Sequence, residues 1–357
     1  MSQNAILFIP DISGFTEFVH HTSINHSRHI ISELLELLID NNTMGLELAE
    51  IEGDALFFYK MSDGSELSSL DDQIEKMYVA FHTHLKRYEY QRICQCGACS
   101  SAYNLKLKFV VHYGEIEFIK VKNSKKPYGS NVIQVHRLLK NEVPVDEYAL
   151  FTESVKEIDK TQEKAITTTY DFGDISFSYN PLKPLRAKLP EVHPIPDDVP
   201  KHKLFDETEI INLPINDLYE VISNFDYRLL WNKGIDKLEY EKNKVNRVSE
   251  KHKCLFNKND DVEVTTISKK VEQNQLVYGE TTSDVPFTKR FNSYFVLEEM
   301  EDGKTKLNIE AFVDFKPFGI IMKPLLKSKL NANISESIKD LMLLIDSGFS
   351  PNETVDP

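Results

Sequence analysis

The 357-residue chain carries 42 basic and 56 acidic residues, a formal charge of −14, and is 41% hydrophobic and 27% charged. That length accommodates two ordinary domains, and the composition is that of a globular protein rather than a disordered one. The acidic balance argues against nucleic acid as a partner, because phosphate backbones need Lys/Arg surfaces, yet it leaves room for a nucleotide captured through a local cation.

The first apolar run, Ala5 to Ile9, has no basic segment before it and stops at Pro10-Asp11, too short for a secretory signal. No run of about 18 apolar residues exists for a membrane span. Three of the four cysteines crowd at Cys94, Cys96 and Cys99, which is not a disulfide framework. A cytoplasmic protein is expected.

In chain order, a strand is expected over Ala5 to Ile9, then a helix with the stripe Ile30, Ile31, Leu34, Leu35 and Leu38. Strands over Leu46 to Ile51 and Ala55 to Tyr59 flank Glu52-Gly53-Asp54, which has hairpin-turn chemistry. A helix over Asp71 to Tyr88 precedes a second hairpin, Leu105 to Val111 with Glu115 to Val121, turning at Tyr113-Gly114. A helix over Val132 to Lys140 and strands near Tyr148 to Thr152 and Ile175 to Tyr179 complete an α+β sandwich. Six prolines from Pro181 to Pro200 predict a linker at 181–202, between domains at 1–180 and 203–348, with a tail at 349–357.

The second domain reads as a strand at Glu207 to Ile211, a short helix near Ile215 to Asn224, and strands such as Val262-Val264-Thr266 and Phe291 to Leu297. It closes with a helix whose Leu330, Ile334, Ile338, Leu341 and Ile345 share one face, ended by Gly348. That pattern is a curved sheet wrapped on one helix.

Asp11 follows the first strand and Asp54 sits in the hairpin turn. Singly, each reads as a helix cap or a turn residue. On neighbouring strands they would converge, and their uncompensated charge would be costly without a cation. The residues around both, Phe8 to Thr16 and Glu50 to Asp54, resemble the two metal segments of the class III adenylyl/guanylyl cyclase family. His112-Tyr113-Gly114-Glu115 resembles that family's strand-turn signature, and Tyr128-Gly129 followed by Arg137 its dimer-site helix. The likeness spans about residues 4 to 180.

The resemblance implies a ferredoxin-like cyclase sandwich acting as a homodimer on a nucleoside triphosphate. It implies two Mg²⁺ or Mn²⁺ ions held by Asp11, Asp54 and the carbonyl of Ile12, with Arg137 stabilising the transferring phosphoryl group. Glu50 and Lys126 fall at the base-reading positions in a combination that matches neither adenylyl nor guanylyl cyclases, so the base stays open. Ile133 stands where the family has a ribose-orienting asparagine. Around Asp171-Phe172-Gly173-Asp174 there is no counterpart of its transition-state lysine. The resemblance thus implies either a cyclase, even a slow one, or a degenerate domain that binds nucleotide or only dimerises.

Cys94, Cys96 and Cys99, with His82 or His84, could ligate zinc; reduced loop cysteines are the plainer reading. His20, His21, His26 and His29 show no specific spacing and read as surface or core histidines. Phe225-Asp226-Tyr227-Arg228 and Trp231, with the strand series and the final helix, resemble the START-like helix-grip family. That implies an apolar cavity for a lipid or other small molecule, lined by Trp231, Phe287, Phe291, Phe295 and Phe312, although aromatics in strands are more often plain core. A carrier of hydrophobic ligands is the third reading.

Overall fold

The computed structural model describes residues 3–20, 24–90, 101–122, 124–156, 165–170, 173–191, 198–242, 246–256, 260–272 and 274–351. The chain divides into two compact units, the first Met1–Glu89 with Ser101–Val192 and the second beginning in the main at His193.

The first unit is built on β1 (Gln3–Ser13), in which every residue from Ala5 to Ile12 is buried. A continuous apolar run of this kind can only sit inside a sheet covered on both faces. β1 pairs antiparallel with β3 (Ala55–Met61) and β4 (Lys106–Val121). The full order is β2-β3-β1-β4-β6-β8-β7, where β2 is Glu47–Glu52, β6 Tyr148–Thr152, β7 Ala165–Tyr170 and β8 Gly173–Pro181. Helices α1 (Phe15–His20), α2 (Ile24–Asp40), α3 (Leu70–Tyr90) and α4 (Ser130–Arg137) complete it. Alternation along β1 sends Ala5, Leu7 and Ile9 into a cluster closed by Val135 and Leu138 of α4 and its C-terminal flank.

The hairpin expected at Tyr113-Gly114 is not a turn. Lys106–Val121 is one strand of 16 residues, and the reversal comes after it, into β5 (Ser124–Tyr128). Gly114 is there for space: a Cβ at this position would lie 2.6 Å from the Asn131 side chain, which lies over the strand. Within the stretch expected as a linker, Lys183–Lys188 form a 3-10 helix. Arg186 of this helix donates to both oxygens of Glu147, at 3.2 and 3.0 Å, and to the Tyr78 hydroxyl at 3.3 Å.

The second unit is one antiparallel sheet in the order β10-β11-β12-β13-β14-β15-β9. Its strands are β9 (His202–Ile211), β10 (Lys237–Glu239), β11 (Lys251–Phe256), β12 (Asp260–Ile267), β13 (Gln275–Thr282), β14 (Thr288–Glu299) and β15 (Thr305–Phe315). Two short helices, α5 (Ile215–Ser223) and α6 (Phe225–Trp231), follow β9, and the long α7 (Lys323–Asp346) packs against α6 and β9. Ile338, Leu341 and Ile345 are the buried residues of α7, and Gly348, at φ +87°, follows its end. Among the described residues no helix is long and apolar enough to cross a membrane.

Candidate functional site

Asp11 lies opposite Ala55 of β3 and Lys108 of β4, at the end of the α4-facing stripe of β1. The amide of Ile12 donates to the carbonyl of Asp54 at 3.1 Å, tying the end of β1 to the β2–β3 turn. That turn has two loop residues, and Gly53 supplies the positive φ, +65°, that such a tight hairpin needs. Asp54 therefore sits one residue from the partner of Asp11. Burial, then the negative charge of Asp11, pushes the Asp54 carboxyl above its ordinary range, against a smaller opposing effect of Lys108. Asp11 is only 9% exposed, and its Oδ2 lies 3.1 Å from the Lys108 ammonium. Lys108 thus joins the candidate site by its contact with Asp11, although the sequence presents it merely as one polar position in an apolar strand.

Glu50 and Lys126, far apart in sequence, meet as a half-exposed ion pair at 3.3 Å. A bulge at Ala49, where the β2–β3 register shifts between Leu48 and Glu50, precedes Glu50. Glu52 of the same hairpin holds His136 of α4 at 3.2 Å, and that imidazole meets the Phe57 ring edge-on at 4.7 Å. Arg137, in the last turn of α4, is exposed, as is Ile133 one turn earlier. The N-terminus of α4 is fixed to β4 through His112. Its Nε2 lies 2.9 Å from Asn131 Oδ1 and its Nδ1 2.8 Å from Thr152 Oγ1, while Asn131 Nδ2 donates to the carbonyl of Glu115 at 2.8 Å. Burial pushes the His112 imidazole below its ordinary range, so this joint is made by a neutral ring.

The donor set suits a hard divalent cation. Two adjoining carboxylates, one already reluctant to ionise, gain from a positive charge, and Mg²⁺ is usually held by one or two carboxylates completed by water and phosphate oxygens. Among the described residues there is no cluster of three or more His, Cys, Asp or Glu side chains that would enclose an ion without such help. Cys94, Cys96, Cys99, Asp171 and Phe172 lie outside the described residues. Of the histidines expected beside the cysteines, His82 lies 2.6 Å from Glu147 and His84 3.0 Å from Glu33.

In the second unit the expected cavity aromatics separate. Trp231 and Phe295 meet edge-on at 6.1 Å, and Phe291 shares the face of Phe295 by alternation along β14. Phe312 lies on the opposite face, packed with Tyr294 and Val296, because its position in β15 is one residue out of phase with inward Ala311 and Val313. Phe287 is half exposed in the β13–β14 connection.

A polar cluster also lies on the inner face. Arg228 is ion-paired with Glu280, which accepts from the Tyr278 hydroxyl at 2.7 Å and lies 3.5 Å from His252 Nε2. Burial pushes Glu280 up, and Arg228 with its other neighbours outweighs this to hold the carboxyl well below its usual range. Burial and then Glu280 push the Cys254 thiol up to about 12. The sole sequence signal was the alternation that sets Glu280 in phase with Tyr278.

A family model described as "Protein of unknown function (DUF2652)" matches residues 31–148. Among solved structures, a bacterial light-regulated adenylyl cyclase is 16% identical, with TM-score 0.38, over 51% of this chain and 52% of that one, so the chain spans about half its length. The guanylate cyclase domain of RhGC from Catenaria anguillulae, in complex with GTP, is 14% identical, with TM-score 0.35, over 50% of this chain and 97% of the other. A norcoclaurine synthase from Thalictrum is 13% identical, with TM-score 0.32, over 40% of this chain and 94% of the other. At such scores the likeness adds nothing to what the site's own residues show. In sequence, the Uncharacterized protein Rv2561/Rv2562 of Mycobacterium tuberculosis is 37% identical over 181 residues, 49% of this chain and 80% of that protein. A shared identity of that level over most of the mycobacterial chain makes the present chain a member of the same family.

Proposed function

We propose that the first unit is a divalent-metal and nucleoside-triphosphate site of the class III cyclase type. The observation that carries this is the convergence of Asp11 and Asp54, brought together by the pairing of Asp11 with Ala55 and the bond from the Ile12 amide to the Asp54 carbonyl; burial first, and the Asp11 charge second, raise the Asp54 carboxyl. Asp11, Asp54 and the Ile12 carbonyl would hold the cations, which when bound neutralise triphosphate charge and acidify the ribose 3′-hydroxyl. Glu50 and Lys126 present one acceptor group and one donor group side by side, a pair able to read a purine edge. Arg137 would stabilise charge on the transferring phosphoryl group. Its action with the two aspartates calls for a second copy of the chain, and exposed Ile51, Tyr128 and Ile133 near these elements supply apolar surface for one.

A second reading, binding without turnover, is favoured by Ile133, which is 56% exposed and can offer no hydrogen bond to a ribose. The second unit, a curved sheet closed by α7 with Trp231 and Phe295 on its inner face, fits a START-like receptor for an apolar small molecule. The test is incubation with Mn²⁺ and each of ATP, GTP, CTP and UTP, products being resolved by mass spectrometry with Asp54→Ala as control. A cyclic monophosphate absent from the control establishes the enzyme and its base. Binding without product selects the second reading, and neither binding nor product refutes the site.

A further inference from the structure

The second unit carries an apolar surface that its own core does not use. Phe318 is 87% exposed and Ile321 74%, with Phe287, Ile320 and Leu325 about half exposed beside them. Leu325 lies in the first turn of α7 and the others come from two connections, β13–β14 and β15–α7, stitched together by the Lys316 amide donating to the Phe287 carbonyl at 3.0 Å. Gly319 allows that approach, since a Cβ there would lie 2.3 Å from the same carbonyl oxygen. Phe287 and Phe318 both adopt positive φ, +67° and +65°, a conformation bulky residues rarely accept. The backbone is thus held where these rings stand in solvent rather than against the core.

The charge along the β15–α7 connection and the start of α7 is unlike that of the rest of the chain. From Lys316 to Leu330 there are lysines at 316, 323, 327 and 329 and no acidic residue, in a protein of net charge −14. Among the described residues none of these lysines forms an ion pair. Lys323 opens α7 and no acidic side chain lies in its first turn, so lysine charge adds to the positive end of the helix dipole instead of opposing it.

We propose that this patch docks the second unit on an anionic lipid surface, with Phe318, Ile320 and Ile321 entering the interface and the lysines on the headgroups. Apolar tips flanked by lysines match an interface that is oily within and negative at its rim. A second copy of the same patch is disfavoured, because two-fold pairing would set lysines against lysines. Each lysine near such a surface raises partitioning by roughly fivefold, an effect that salt screens.

The test is sedimentation of the full chain with vesicles of phosphatidylcholine alone or mixed with phosphatidylserine. Phe318→Asn with Ile321→Gln removes the apolar tips while keeping at 318 a residue that tolerates positive φ. Lys323→Glu with Lys327→Glu reverses the charge, and far-UV circular dichroism confirms that both variants are folded. We expect the parent to sediment with the serine-containing vesicles, less so at high salt, and both variants to lose roughly twentyfold or more in partitioning. A parent that stays in solution with both vesicles overturns the proposal, as does an apolar variant that sediments like the parent. A Phe318-dependent dimer in light scattering without vesicle binding would assign the patch to a second copy instead and equally overturn it.

Discussion

Replacing Lys108 by Met tests whether the Asp11 and Asp54 carboxylates form a cation site or a self-contained salt bridge. The ammonium lies 3.1 Å from Asp11 Oδ2, with side-chain exposures of 19% and 13%. At that distance and an effective dielectric of about 20, the gross attraction is about 5 kcal/mol. Desolvation of both groups cancels much of it, leaving a net loss of about 2 kcal/mol. For a unit of this size that lowers the melting transition by about 4–8 °C in metal-free buffer. Mn²⁺ at a hundred times its dissociation constant restores about 2.7 kcal/mol. The sign with pH is set by Asp54, whose folded carboxyl lies above its ordinary value of 3.8. Protonation of Asp54 therefore favours the folded state below 3.8, and this contribution is lost as pH rises through the raised folded value. Removing Lys108 takes away one lowering influence and widens the window. Scanning calorimetry of parent and variant, with and without Mn²⁺ and over pH, reads all three effects. A Lys108→Met protein that melts like the parent and ignores Mn²⁺ would show that the carboxylates need no cation, and the metal assignment would fall.

Arg228→Met strands a part-buried Glu280 carboxylate and should cost about 3 kcal/mol, while Arg228→Met with Glu280→Leu should recover most of it. Urea titration followed by the fluorescence of Trp231, the lone tryptophan, reports this unit directly. The Glu147 carboxyl is pushed up by burial but drawn down overall to about 2 by His82 and Arg186, from 4.5. Its contribution is present above pH 4.5 and lost as pH falls through 2, so Glu147→Gln should flatten the acid limb and cost up to about 3 kcal/mol at neutral pH, read by acid titration of ellipticity. Gly319→Ala forces the two apolar connections apart and should cost about 1–3 kcal/mol in the same urea titration, with no change expected only if the loops part freely.

What could be read from the sequence follows the strength of its periodicity. β1 was legible because Ala5 to Ile9 is unbroken, and α7 because its apolar positions recur on one face. The Tyr113-Gly114 reversal was misplaced for a reason local chemistry cannot reveal. A glycine admits either a turn or a close neighbour, and here the neighbour, Asn131, is 17 residues away. The proximity of Asp11 and Asp54 is signalled by the residues around them, whereas the contact of Lys108 with Asp11 follows only from strand register. Glu280 was hidden more deeply: a glutamate in a β-branched strand reads as solvent-facing, and only a buried arginine from a distant helix makes the inward position tenable. Phe312 falls on the face opposite the expected cavity because one residue of phase, invisible without the pairing, inverts a strand.

Under the proposed cyclase-type reading, Ile133 and the segment around Asp174 bear on rate more than on binding, and magnitudes show how the two separate. Each missing transition-state contact costs about 3 kcal/mol, so two together slow turnover by about ten-thousandfold. From an ordinary turnover of about 10 per second, that leaves about one event per quarter of an hour for each site. Such an enzyme would look inert in a short assay while still binding metal and nucleotide through Asp11 and Asp54, contacts made as fully before the reaction as during it. Binding and product must therefore be measured apart, the second over hours and at high protein concentration. If Lys108 holds Asp11 in the absence of substrate, Lys108→Met should raise Mn²⁺ affinity while doing nothing for the missing transition-state groups. A variant that gained affinity and turnover in equal measure would mean that cation occupancy, not those groups, limits the site.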